Sequence, residues 1–382
     1  MDRIALKVQR RRFSREAAGE IAVYQRLRER AGVCPEIIGL HEAFFFDGHI
    51  CMAFEKHGNS LEPTLDRGPI PPARVRRATR QILRALDHLH RSGYTHTDVK
   101  PGNILYSARS GNVRLADLGD AEDRLRQGHL YGTREYTSPE VILGAPLTPA
   151  LDIWNLGCTV FEMLTNQYLF NPRKAAAKKY QEFSKDGPEM PIAASVLKDN
   201  ADEEAEQLIK GSVVADKYRL EHPLGRGRFS TVWAAKALSD LALDRSPEIL
   251  RDFRHQRGLR HARKSDRGSD RVWRRRKGAV DLLDLALNYE QLLLIAALCG
   301  PFPPAMVEAA RYRVSYFEAD GQLRFCPTLQ RVSLRPRLRR KTVLRGRALD
   351  LACDFLSSCL TIDSSQRITS EAALAHPWLA PA

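Results

Sequence analysis

The sequence lacks the marks of secreted and membrane-spanning proteins. Its seven cysteines are odd in number, scattered and without a C-x-x-C pair, which argues against a disulfide or zinc framework and favours reduced thiols. No apolar run approaches the roughly 18 residues of a membrane span, and the first residues hold no stretch typical of a signal peptide. We therefore expect a soluble protein of the cytoplasm, the nucleus or both.

Signatures of nucleic-acid binding are also missing, although the chain is basic. The formal net charge is +14, and the excess lies mainly in residues 245–277 and 335–347. No zinc finger, RNA-recognition motif or helix-turn-helix accompanies these stretches, so nucleic-acid binding is disfavoured. Such runs are most often solvated faces, and contact with an anionic partner is the alternative.

The order of patterns along the 382 residues predicts an α+β fold with two lobes. Strand-like runs (IALKV, IIGLHEAFFFD and HICMAFE) surround one amphipathic helix, which indicates a small antiparallel sheet. From Pro71 onward the pattern is mainly helical, so a hinge is expected near residues 55–60. The predicted boundaries are a first lobe at 1–57, a helical lobe at 58–172 and 289–382, and an insertion at 173–288.

The strongest chemical signal is the run HTDVKPGNIL, followed 14 residues after Asn103 by Asp117-Leu118-Gly119. Phosphoryl transfer needs a carboxylate to orient the nucleophile, a lysine to neutralise the moving group, and a carboxylate with an amide to hold magnesium. Asp98, Lys100, Asp117 and Asn103 fit these roles in that order. Either motif alone could arise by chance in a surface loop, but the two together at this spacing favour catalysis.

A second constellation lies upstream. Lys7 is in a strand-like run, and Glu20 falls in the amphipathic pattern that follows. A strand lysine that grips the ATP phosphates and is itself held by a helix glutamate is how kinases position ATP. In isolation such residues are usually surface charges, but their place before Asp98 favours a cofactor-binding role for both.

These motifs resemble the SR-protein kinases, a branch of the eukaryotic serine/threonine kinases related to the Clk group. The resemblance rests on HTDVKPGNIL, a DLG motif, GTREYTSPEVILG, DIWNLGCTVFEMLTNQYLF and HICMAFE, and it covers about 1–172 and 289–382. It implies an ATP- and Mg²⁺-dependent enzyme that transfers the γ-phosphoryl group to serine or threonine of a protein. The substrate it implies is basic, including Arg/Ser-rich proteins.

The same resemblance assigns further roles. Phe54 is similar to the gatekeeper, and the backbone of the hinge from Glu55 to His57 is expected to hydrogen-bond adenine. Thr133 matches the threonine that bridges the catalytic aspartate and lysine in serine/threonine kinases.

Two structural expectations follow from the resemblance as well. Glu140 is expected to pair with Arg367 and clamp the helical lobe. Thr97 stands where many kinases carry an arginine that grips an activation-loop phosphate. We therefore expect the short segment from Asp117 to Glu140 to function without phosphorylation.

One motif is out of order. The hairpin at 217–236 resembles the Gly-rich loop of this family, with Gly225 and Gly227 at the positions that approach the phosphates, yet it follows the catalytic motif. Three explanations are open. The hairpin folds back to complete the first lobe, as in a circular permutation; it is a displaced fragment or the reading frame is faulty; or it is a relic packed elsewhere.

The sequence therefore predicts a protein serine/threonine kinase, with a monomer as the expected state. The alternative function is a catalytically impaired kinase-like scaffold that binds partners through its helical lobe and basic insertion. A third interpretation, a nucleic-acid-associated protein, would depend on the Arg-rich tract 245–277 and would show salt-sensitive binding.

Overall fold

The computed structural model describes residues 3–183, 211–226, 230–238, 282–324 and 329–380. These residues form two compact units. The sheet unit holds 3–29, 38–56, 211–226 and 230–238, and the helical unit holds 30–37, 57–183, 283–324 and 329–380. The Arg-rich tract 245–277 and Gly227 lie outside the described residues.

The sheet unit contains one helix, α1 (Ser14–Ala31), and an antiparallel sheet. Its strands, numbered along the whole chain, are β1 (Arg3–Gln9), β2 (Leu40–Phe46), β3 (His49–Glu55), β7 (Val213–Val214), β8 (Tyr218–Arg226) and β9 (Ser230–Ala237). Their spatial order in the sheet is β2-β3-β1-β9-β8-β7.

Alternation along β1 places the core of this unit. Ile4, Leu6 and Val8 are buried on one face, together with apolar residues of β3, β8 and β9. Lys7 belongs to the opposite face because successive side chains of a strand alternate. The apolar period-two pattern thus buries one face and leaves the lysine available for α1.

The displaced hairpin is part of this sheet. β9 pairs with β1 from Arg3↔Lys236 to Gln9↔Ser230, so strands from distant parts of the chain are neighbours. This pairing is what the first explanation, in which the hairpin completes the first lobe, requires. The third explanation places the hairpin elsewhere and disagrees with the pairing of residues 230–236.

The sheet is strongly curled. β2 and β8 are four strand intervals apart, or about 19 Å in a flat sheet with strands roughly 4.8 Å apart. Nevertheless the Tyr218 hydroxyl donates to Glu42 Oε1 at 2.6 Å, and the Lys217 Nζ lies 3.0 Å from Glu42 Oε2. The Tyr218 ring also stacks on Phe44 at 5.7 Å between centroids. The hairpin is therefore held at β1 and, across the curl, at β2.

The helical unit carries short strands β4 (Asn59–Ser60), β5 (Ile104–Tyr106) and β6 (Val113–Leu115). Its helices, numbered along the chain, are α2 (Glu62–Leu65), α3 (Pro72–Arg91), α4 (Pro139–Leu143), α5 (Ala150–Thr165), α6 (Pro172–Phe183), α7 (Leu282–Cys299), α8 (Pro304–Ala309), α9 (Arg313–Tyr316), α10 (Leu334–Lys341), α11 (Gly346–Cys359) and α12 (Ser370–Leu374).

Helix α5 is the centre of this unit. From Leu151 to Thr165 every residue except Glu162 is buried, as expected of a helix that is apolar on all sides. The predicted clamp is confirmed near its start, where Arg367 donates to both carboxylate oxygens of Glu140 at 2.7 and 3.0 Å. Both side chains are fully buried, and Arg367 also lies over the Trp154 ring.

The expected fold class is confirmed, with an antiparallel sheet and one helix in one unit and mainly helices in the other. Helix α6 and the start of α7 fall inside the range expected for the insertion, whose boundaries stay a prediction. Within the described ranges, every helix is too short or too polar to cross a membrane.

Candidate active site

The catalytic motif lies in the loop between α3 and β5 in the helical unit. Asp152 of α5 holds this loop, since its carboxylate accepts hydrogen bonds from the backbone N–H groups of His96 at 2.8 Å and Thr97 at 2.7 Å. Thr97 has φ of 72°, a left-handed conformation that is strained for a β-branched residue. A buried carboxylate on the central helix thus fixes the backbone just before Asp98.

Asp98, Lys100 and Thr133 form one network. The Thr133 hydroxyl donates to Asp98 Oδ1 at 2.8 Å, and Lys100 Nζ donates to the Thr133 hydroxyl at 2.6 Å. Lys100 Nζ also lies 2.6 Å from Asp98 Oδ2. The structure therefore brings together all three residues that the sequence predicted as catalytic, in the bridging arrangement expected for Thr133.

Gly132 brings Thr133 close enough for this contact. It has φ of +75°, and a Cβ at this position would lie 2.6 Å from the Thr97 carbonyl oxygen. Only glycine combines this backbone conformation with so close an approach. The segment from Asp117 to Glu140, here called the activation segment, can therefore lie directly against the catalytic loop.

Asn103 and Asp117, the predicted metal ligands, are also neighbours in the fold. Asn103 Nδ2 donates to the Asp98 carbonyl at 2.8 Å and to Asp98 Oδ2 at 3.1 Å, which turns the amide oxygen away from Asp98. The Ala116 N–H donates to the Asn103 carbonyl at 2.9 Å. Asp117 is the next residue in the chain, so this bond brings it close to Asn103. An amide oxygen and a carboxylate fit Mg²⁺, which takes one or two protein oxygen ligands beside phosphate.

The charge around this pair fits a cation as well. Loss of hydration and the neighbouring carboxylates of Asp117 and Asp98 raise the pKa of Asp120 to about 6. Three aspartates that repel one another would be stabilised by a bound divalent ion. Among the described residues no group of three or more His, Cys, Asp or Glu side chains is placed to hold a metal ion, and the predicted pair consists of one amide and one carboxylate.

In the sheet unit, the predicted pair of Lys7 and Glu20 forms. Lys7 Nζ donates to Glu20 Oε2 at 2.7 Å, and only 13% and 3% of the two side chains are exposed. Lys236, at the end of the hairpin in β9, is exposed instead. The contact favours Lys7 over Lys236 for the ATP-binding role, which stays a prediction.

The other predicted cofactor-binding residues are distributed over both units. Glu55 ends β3, where its carboxylate accepts from the Gly39 N–H at 3.2 Å, and Phe54 is buried beside Tyr24. His57 begins the helical unit and contacts the Asn112 carbonyl. Gly225 lies in β8 opposite Val232, with open space where a side chain would project.

The family model of the protein kinase domain matches residues 2–220, more than half of the chain. The chain belongs to the protein kinase family. The match agrees with the fold and with the Asp98, Lys100 and Thr133 network. It confirms the eukaryotic protein kinase expected from the sequence.

Three similar proteins are named as dual-specificity kinases. It is similar to dual specificity tyrosine-phosphorylation-regulated kinase 3 of Homo sapiens, with 35% identity over 176 residues, 44% of this chain and 30% of the relative. Kinase 4 of that series from Homo sapiens is 33% identical over 175 residues, 44% of this chain and 34% of the relative. The probable dual specificity protein kinase madd-3 of Caenorhabditis elegans is 34% identical over 181 residues, 41% of this chain and 20% of the relative.

This kinase spans about a third or less of the length of these relatives. The SR-protein-kinase-like branch is broadly consistent with them, since all are eukaryotic protein kinases.

The helical unit of the kinase also contains an acidic cavity that the sequence analysis missed. Its volume is about 830 Å³, and Glu62, Asp66 and Glu162 contribute carboxylates to its lining, beside Lys174 and Arg337. Burial raises the pKa of Glu162 to about 7, and the nearby Glu62 and Glu135 carboxylates add to this effect. The Tyr136 hydroxyl donates to Glu162 Oε2 at 2.5 Å, which connects the cavity to the activation segment.

Glu62 connects the same cavity to the catalytic loop. A Cβ built on Gly102 would lie 3.1 Å from Glu62 Oε1, so this carboxylate contacts the loop that contains Lys100 and Asn103. Glu62 and Glu162 are distant in sequence, and the sequence signal for the site is that Glu162 interrupts the apolar stretch VFEML.

Proposed function

We propose that this protein transfers the γ-phosphoryl group of ATP to serine or threonine hydroxyl groups of protein substrates. The observation that carries the proposal is the network in which Asp98 accepts from Thr133 while Lys100 bridges both. Phosphoryl transfer relies on positioning and electrostatics, which is what this network offers.

Each residue has a definite task in this proposal. A carboxylate has about four lone-pair positions, so Asp98 can accept the substrate hydroxyl proton while it keeps its bonds to Thr133 and Lys100. Lys100 stabilises negative charge that develops on the transferred group. Bound Mg²⁺ supplies charge neutralisation at the phosphates, and Asn103 and Asp117 would hold it. Lys7, positioned by Glu20, would contact the ATP phosphates.

The acidic cavity supports a basic substrate. Glu62 and Glu162 face a cavity beside the catalytic loop and the activation segment, and arginine forms strong charge-assisted bonds with carboxylates. A net charge of +14 by itself disfavours an acidic substrate-binding surface, but the charge at the site matters more for substrate binding than the net charge of the chain. We propose that an arginine near the acceptor serine binds here, as in an Arg/Ser-rich segment.

The proposed preference for serine and threonine rests on Thr133 and Lys100. Both side chains lie beside Asp98, where the short side chain of an acceptor serine or threonine would bind. The relatives are named as dual-specificity kinases, so matched peptides with serine, threonine or tyrosine acceptors test this point directly.

The test is Mg²⁺-dependent phosphorylation of an Arg/Ser peptide, followed by mass spectrometry. We expect activity in the wild type, a loss of at least ~1000-fold in Asp98→Asn, and near wild-type activity in Asp354→Asn. Asp354 is a suitable control because it is exposed on α11, where it pairs with His376. An inactive wild type that still folds would support the scaffold, and an active Asp98→Asn variant would refute the assigned mechanism.

A further inference from the structure

The activation segment of the helical unit is held at its middle by residues that follow the insertion. The Tyr312 hydroxyl donates to the Gly128 carbonyl at 2.8 Å. Gln127 Nε2 donates to the Gly144 carbonyl at 3.0 Å and to the Ala309 carbonyl at 3.2 Å. Two separate side-chain contacts therefore connect one turn of the activation segment to the end of α8 and to the residues between α8 and α9.

Backbone contacts strengthen this connection. The Arg311 and Tyr312 N–H groups donate to the carbonyls of Gly144 at 3.2 Å and Leu143 at 3.1 Å. A Cβ at Gly144, where φ is +63°, would lie 2.9 Å from Tyr312 Cε2, so the tyrosine ring packs directly on this glycine. The ring position is thus determined by the end of α4, and its hydroxyl reaches back to Gly128.

The turn at Gly128 leads to the catalytic network within a few residues. Tyr131 is buried with Val141 and Leu151, and its hydroxyl accepts the Arg126 N–H at 3.0 Å, which closes the turn. Gly132 and Thr133 follow, and Thr133 bonds to Asp98. A change in the Gly128 turn therefore has a short covalent route to the residue that contacts the catalytic aspartate.

We infer that Tyr312 is a positioning residue that, with Gln127, keeps the activation segment ordered so that Thr133 stays against Asp98. We call the contacts of Tyr312 and Gln127 the brace. Because the chain itself makes these contacts, the brace provides the order that phosphorylation provides in other activation segments. Its catalytic consequence rests on the proposed function, whereas its effect on order does not.

Hydrogen exchange by NMR in full-length Tyr312→Phe tests the brace. The substitution removes one hydroxyl and keeps the ring on Gly144. We expect the Arg126 and His129 amides, which are bonded within the turn, to exchange about fivefold faster, since one net hydrogen bond corresponds to such a factor. Unchanged exchange at these amides would overturn the inference.

The matched control is Tyr289→Phe. The Tyr289 hydroxyl donates to the Arg324 carbonyl, outside the activation segment. Equal acceleration of the two amides in this variant would show general loosening and would also overturn the inference.

Kinetics provide the second readout. In Tyr312→Phe we expect kcat to fall about fivefold while the KM for ATP changes less than twofold, because the brace acts on Thr133 rather than on ATP binding. A faster exchange with unchanged kcat would refute the positioning role. The exchange result does not need turnover, so an inactive wild type would refute the proposed function and leave the ordering result to be judged by itself.

Discussion

Lys7 lies directly opposite Val232 in the antiparallel pair of β1 and β9, although the catalytic motif separates the two strands in the sequence. This register places the strand that follows the Gly-rich turn beside the strand that carries the proposed ATP-binding lysine. The hairpin follows the start of the helical unit in the sequence and nevertheless lies beside the strand of Lys7, as the first of the three explanations requires.

The contact between the hairpin and Glu42 can be tested by measuring the free energy of unfolding. Glu42→Gln removes the charge that Lys217 and Tyr218 contact, and only 7% of the glutamate side chain is exposed. We expect the free energy of unfolding to fall by about 1–3 kcal/mol, measured by urea titration. Glu318→Gln, a half-exposed partner of Arg324, should change it by less than about 1 kcal/mol. Equal effects of the two substitutions would contradict the attachment.

Substitution of each lysine by methionine tests whether Lys7 or Lys236 binds ATP. Lys7→Met removes the partner of Glu20 and the proposed phosphate contact, so we expect kcat/KM for ATP to fall by ~100-fold or more. Lys236→Met, on the exposed side of β9, should stay within about twofold of the wild type. The reverse pattern in steady-state kinetics would show that Lys236 is the ATP-binding lysine.

The acidic cavity predicts a pH dependence of substrate binding. The pKa of Glu162 is raised to about 7, mainly by burial, and only the ionised carboxylate attracts an arginine. Affinity for an arginine-containing peptide is therefore present above pH 7 and is lost as the pH falls through this value. The measurement is the KM for the peptide between pH 6 and 8, and about a tenfold rise is expected toward the acid end.

Two controls isolate Glu162 in that experiment. In Glu162→Gln the KM should be high and independent of pH, because the group that titrates is gone. A peptide with alanine in place of arginine should show little change in the wild type. If the wild type and Glu162→Gln have the same pH profile, another group, such as Asp120, is responsible.

Phosphatase treatment tests the independence of the activation segment. Thr97 stands where an arginine would grip a phosphate, and its hydroxyl instead donates to the Asp120 carbonyl at 2.9 Å. Together with the Tyr312 contact, this bond connects the segment to the rest of the helical unit. We expect phosphatase-treated protein to keep more than about half of its turnover. Loss of activity that returns on rephosphorylation would contradict this prediction.

Much of the fold and site followed from local patterns. Short strand-like runs located β1 and β3, and the run of apolar residues from Leu151 located α5. Asp98, Lys100 and Asn103 are close in sequence, so one short loop brings them together and the motif alone was sufficient. The pairs of Lys7 with Glu20 and of Glu140 with Arg367 also formed as expected.

Other relationships depend on contacts between distant segments. Glu62 and Glu162 line one cavity, and Tyr312 reaches Gly128, but no spacing in the sequence indicates either contact. The sequence by itself determined the catalytic motif and the main strands and helices, because motif chemistry and strand or helix periodicity are local properties. The pairing of β9 with β1, the acidic cavity and the brace were decided only by the tertiary structure, because each depends on how the sheet curls and how the helices pack.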